Sequence, residues 1–107
     1  MLGFNKEITK ELDLVNDKQE QKLRKLGFDW CDETPTVELA IKWFRVVKKC
    51  FIEAIIERIS MDDVKYRGII YMVANDTIIK TAQRCDYDYA KSVALAEAIH
   101  QYSSDIS

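Results

Sequence analysis

The hydrophobic period of this chain changes twice, and those two changes limit its fold more than any other feature. Up to about Lys49 the apolar residues recur at helical spacing. From Cys50 to Ile59 they alternate, with Ile52, Ala54 and Ile56 on one face and Glu53 and Glu57 on the other. The helical period returns after Asp86 and runs to about Tyr102, with Ala90, Ala94, Leu95, Ala98, Ile99 and Tyr102 as its inward stripe. A segment patterned for a helix cannot also satisfy the two faces of a strand, so a sheet must sit between helices. With 107 residues, one domain fills the chain.

Finer signals divide these zones. Between 66 and 74 nearly every residue is apolar, which predicts a central strand; Asn75-Asp76 suits a two-residue turn, and a third strand follows to about Arg84. Residues 60–65 read as a polar connection. Upstream, Thr34-Pro35 predicts a helix over 35–49, with threonine as N-cap and proline in the first turn. Glu38 and Lys42 are spaced for an ion pair on that helix. An N-terminal helical segment over 5–27 starts at an Asn5 cap, is interrupted at Asn16-Asp17, and restarts with Asp17 and Glu20 as a capping box. It reads equally as one kinked helix or two short ones. Gly27 falls at its C′ position, with Phe28 placed to pack back on Leu23 in a Schellman arrangement. The expected fold is a two-layer α+β domain with a three-stranded antiparallel sheet, in the order α-(α)-α-β-β-β-α. Residues 35–102 supply its α-β-β-β-α unit.

Composition excludes several kinds of function. The net charge of −2 gives no global attraction for nucleic acid or anionic membrane. Only residues 35–60, with five basic and three acidic side chains, carry a local excess of positive charge. Cys31, Cys50 and Cys85 are odd in number and lack C-x-x-C spacing, which argues for free thiols in a reducing compartment. No segment reads as a secretory signal or a membrane span, so a cytoplasmic location is expected. Phosphate-binding glycine loops, nucleophile elbows and H-E-x-x-H are all missing. His100 has no Cys, Ser or Asp partner nearby in sequence and reads as an ordinary helical histidine. The acidic sets Asp29/Asp32/Glu33 and Asp62/Asp63 lack calcium-loop spacing and read as solvated loop charges. The expectation is a chain without catalysis, cofactor, metal or small-molecule substrate.

Two surfaces remain as binding candidates. Five aromatics, Trp30, Tyr66, Tyr71, Tyr87 and Tyr89, are too many to bury under a single helical layer. A sheet face marked by Glu53 and Glu57 on the first strand and by Arg67, Ile69, Tyr71 and Val73 on the second mixes aromatic, aliphatic and charged groups as protein interfaces do. Either the face is open or the N-terminal helices cover it; periodicity does not choose. The alternative surface is the basic group Lys42, Arg45 and Lys49, with Lys48 beside it, which could hold phosphates while Trp43 or Phe44 stacks. Trp43 and Phe44 also fall at core positions.

Certain stretches resemble known proteins. Lys25-Leu26-Gly27-Phe28-Asp29, then Pro35-Thr36, Ala40-Ile41-Lys42-Trp43-Phe44-Arg45-Val46-Val47, and Tyr87 through Ile99 resemble a family of small phage and gut-bacterial proteins over about residues 23–102. Members read K-L-G-F-D, P-T, A-x-K-W-L-R-E-V and Y-E-E-A-L-E-A-G-L-x-E-A-L. Phe44 stands for a leucine, Val46 for an acidic residue, and Lys91 at a usually apolar position. The Lys91 stem is expected to pack while its ammonium snorkels. The resemblance implies the fold and a phage-like origin but no activity. The order of elements in 35–102 is also similar to that of double-stranded-RNA-binding domains. Those domains place lysines at the start of the final helix, where this chain has Asp86 and Asp88. The expected partner is therefore a protein or a second copy of the chain rather than nucleic acid.

Overall fold

Helix α1 (Asp17–Lys25) begins one residue earlier in its cap than its sequence suggests: Asn16 is the N-cap, and its capping-box partner is Gln19 rather than Glu20. The Asn16 carboxamide accepts the Gln19 N–H at 2.8 Å and the Gln19 side chain accepts from the Asn16 N–H at 3.3 Å. The computed structural model describes residues 13–105, so the expected Asn5 cap and the segment 5–12 lie outside the described residues. At the other end of α1 the Schellman closure forms as expected. The Phe28 N–H reaches the Leu23 carbonyl at 3.0 Å and the Gly27 N–H reaches that of Arg24 at 3.1 Å, with Gly27 at φ +108°.

Arg24 then fixes the loop that follows. Its guanidinium donates to the carbonyls of Phe28 (3.5 Å), Cys31 (2.6 Å), Asp32 (3.3 Å) and Glu33 (2.9 Å), and to the Glu20 carboxylate (3.2 Å). Only an arginine fork can reach acceptors in so many directions. Glu20 also accepts the Thr34 hydroxyl at 2.9 Å, and the Pro35 carbonyl accepts the Val15 N–H at 3.1 Å. With Thr34 and Pro35 engaged in this way, helix α2 (Val37–Trp43) starts two residues later than the Thr-Pro signal indicates. Thr36 is its N-cap, accepting from the Leu39 N–H at 3.0 Å. The helix then widens into a π-turn (Phe44–Lys48), and Lys49 ends it in the left-handed region at φ 54°. The expected single helix over 35–49 is therefore a shorter helix with a π-turn after it. Glu38 is bonded to Lys91 at 2.7 Å rather than to Lys42.

Three antiparallel strands follow, β1 (Cys50–Ile59), β2 (Val64–Met72) and β3 (Thr77–Arg84), in the order β1-β2-β3. Strand β2 begins two residues before its expected start and stops at Met72. Val73 leaves the sheet for a 3₁₀ turn (Val73–Asn75), closed by Asp76 at φ 52°. On β1 the inward positions Ile52 and Ala54 are buried, but Ile56, expected beside them, is exposed; the register against β2 shifts between Ile56 and Arg58.

Helix α3 (Tyr87–Asp105) closes the fold across the inner face of the sheet. Asp86 caps it as expected, accepting from the Tyr89 N–H at 3.0 Å. Ala90, Ala94 and Ala98 are fully buried on one side of the helix, and their small size brings its backbone down onto Gly68. A Cβ on Gly68 would lie 2.7 Å from the Ala94 methyl, 2.9 Å from the Ala90 carbonyl and 2.9 Å from the Thr81 hydroxyl. Beyond the alanines, Phe28, Trp43, Phe44 and Tyr102 form a chain of edge-on and tilted ring contacts, 5.1–5.7 Å between centroids, that ties loop, α2 and α3 together. Gly68 has no positive φ, so its requirement is steric alone. Gly68→Ala should therefore cost about 1–3 kcal/mol by overpacking, and Gly68→Val more, read as a lower urea midpoint at unchanged slope.

Candidate interaction surface

Directly opposed residues of an antiparallel ladder share a face, so the register defines the outer surface of the sheet. Phe51, Tyr71 and Ile78 make one row across the strands; Glu53, Ile69 and Lys80 make the next; Ile55, Arg67 and Gln83 make a third. None of these residues is buried. Phe51 is 40% exposed, Ile55 41% and Ile78 60%. The buried core lies on the other face, where α1, α2 and α3 pack. Among the described residues this outer face is open, and α1, the described part of the N-terminal segment, does not cover it. Arg67, Ile69 and Tyr71 sit on it as expected. Val73 does not: strand pairing ends at Met72, and Val73 turns away in the 3₁₀ segment.

The charges on this face fall into two groups. Glu57 accepts from the Gln83 amide and, at 2.7 Å, from Arg67 Nε, while Arg67 also donates to the Thr81 carbonyl at 2.8 Å. The hydrogen bond from Gln83, then that from Arg67, holds the Glu57 carboxyl below its usual range. The same stretch of ladder is repaired by Thr81, whose hydroxyl accepts the Gly68 N–H at 3.0 Å where the β2–β3 register shifts. Glu53 and Lys80 are different: among the described residues neither forms an ion pair within the chain.

The basic group lies elsewhere, on α2 and the π-turn. Lys42, Arg45 and Lys49 are exposed and, among the described residues, without a carboxylate partner. The wide turn keeps them from continuing the Glu38 stripe at regular helical spacing, because a π-turn advances each residue by less than an α-turn does. Trp43 and Phe44 are 1% and 0% exposed, so neither offers a ring for stacking. Lys48 lies over the Trp43 ring at 5.7 Å.

A cleft of about 370 Å³ between α2 and α3 is lined by Asp13, Val37, Glu38, Asp88, Lys91 and Ser92. Sequence reading did not find it, because Asp13 and Glu38 come together with α3 only in the fold. Burial pulls the Lys91 ammonium towards lower pKa, but the hydrogen bond and charge of Glu38 outweigh it, so the cation is held firmly charged. Its stem packs as expected, and its head ends on Glu38 rather than in water. Among the described residues no group of three or more His, Cys, Asp or Glu could hold a metal ion. No helix there is long and apolar enough to cross a membrane. Cys50 is buried, and that burial pushes its thiol up to about 11; Cys31 is half-buried and Cys85 exposed, all three free.

Comparison of the chain with family models, with curated proteins and with solved structures gave no match. The geometry of the sheet face is thus what any functional reading must stand on. Its electrostatics can be checked directly. In an NMR titration the Glu57 carboxyl should titrate below the ordinary glutamate value of about 4.3, and Gln83→Ala should move it back up. Because the folded-state pKa is depressed, any stability from this cluster is present above that ordinary value and is lost as pH falls through the folded midpoint.

Proposed function

We propose that this chain is a small non-enzymatic interaction domain whose working surface is the outer face of its sheet. The supporting observation is the aligned apolar row Phe51, Tyr71 and Ile78, left open beside Ile55 and Ile69 on a rigid three-stranded platform. Aromatic and aliphatic groups at the centre with charges around them are the composition of protein-binding patches. The platform is held from beneath by the packing of α3, so side chains above can change without loss of fold. Ile69→Lys and Tyr71→Lys should each abolish association with a protein partner, read by cross-linking or ultracentrifugation, while leaving the circular dichroism and thermal midpoint within a few degrees of the wild type. Loss of fold in both variants, or retained association in both, would remove the surface from consideration.

A nucleic-acid reading rests on the three exposed cations Lys42, Arg45 and Lys49, which have no carboxylate partner among the described residues. It predicts binding to duplex or single-stranded nucleic acid through phosphates alone, falling steeply with salt and removed by Arg45→Glu.

A further inference from the structure

We infer that the partner of this face is a second copy of the chain, packed sheet to sheet about a two-fold axis that runs along β2. The inference rests on the interaction-surface reading above and adds the identity and orientation of the occupant. Glu53 and Lys80 stand on the face without an ion-pair partner among the described residues and are of opposite sign; Arg58, likewise unpaired, lies further along β1 in the row of Lys65. Glu53 and Lys80 share one row on the two edge strands, with Ile69 of β2 between them.

A rotation about β2 exchanges the two edges and keeps each row at its own height. It therefore lays Glu53 of one copy over Lys80 of the other, and the reverse, giving two intersubunit ion pairs. The same operation puts Phe51 over Ile78 twice, and Ile69 and Tyr71 each over its own mate on the axis. Arg67 also meets its own mate, and its charge is already balanced by Glu57 at 2.7 Å. The other in-plane two-fold, perpendicular to the strands through that row, would set Glu53 on Glu53 and Lys80 on Lys80. Charge thus selects one arrangement. Aligned sheets packed at about −30° fit it without further distortion. A face of three strands is smaller than the roughly 800 Å² per partner of a standard interface, so the dimer is expected to be concentration dependent.

The test uses sedimentation of the full chain over about 10 µM to 1 mM, the range in which a small interface is populated. The wild type should shift from monomer to dimer. Glu53→Lys and Lys80→Glu should each weaken self-association by at least about tenfold, since each sets like charges against each other. Mixed together, the two single variants should recover dimerisation, because the heterodimer has opposite charges at both contacts, one pair in the native polarity and one reversed. Both positions are exposed, so neither change threatens the core, and circular dichroism confirms it. A wild type that dimerises with no response to either reversal overturns this arrangement; if that dimer also survives Tyr71→Lys, the surface reading falls with it. A wild type that stays monomeric throughout overturns self-pairing while leaving the surface to be judged by its binding of another protein.

Discussion

The close approach of α3 to the sheet at Gly68 is the constraint on which the rest of the structure depends. Ala90, Ala94 and Ala98 make the underside of the helix nearly flat, and Gly68 lets the strand meet it backbone to methyl. Interiors pack at crystal-like density, so once that distance is set the larger groups on either side have little latitude. Leu95, Ile99 and Tyr102 join Trp43, Phe44 and Ile70 in one core beside the alanines that bring the helix low. With every helix on this one side, the opposite face of the sheet is left to solvent among the described residues. The open surface is thus a result of how the covered one is packed.

Much of this was legible where the controlling interactions are local. Gly27 and Phe28 encode their Schellman closure within six residues, Asp86 caps the helix that it immediately precedes, and alternation on β1 marks its buried side as far as Ala54. The three strands and their antiparallel order follow from period and turn residues. Where a distant group competes, local signals mislead. Thr34-Pro35 has the form of a helix start, yet Glu20 takes the threonine hydroxyl and Val15 takes the proline carbonyl, leaving the cap to Thr36. Glu38 is spaced for Lys42 and bonds Lys91, more than fifty residues away. Of the candidate surface only the placement was legible: Arg67, Ile69 and Tyr71 share one face, and Val73 misses it because no sequence period shows where a ladder stops.

The π-turn (Phe44–Lys48) shows how helix and sheet are joined without a linker. Trp43 and Phe44 must both face the core, and Cys50 must enter the first strand buried. The wide turn absorbs the angular mismatch between those demands. Left-handed Lys49 then reverses the chain, its carbonyl accepting the Val73 N–H at 3.3 Å from the far end of β2. The exposed Val46 and Val47 and the cations around them are what the turn displaces outwards.

Arg24 carries a different kind of consequence. The segment 28–33 is anchored by the buried Phe28 ring and by its carbonyls, which every residue type possesses and to which the Arg24 guanidinium and, at Glu33, the Cys31 thiol donate. Asp29, Asp32 and Glu33 keep their side chains in solvent, and Trp30 is 38% exposed. The shape of the loop is therefore separated from its content. Substitutions along the solvent-facing positions can drift freely over generations, whereas a change at the single arginine would release four carbonyls at once.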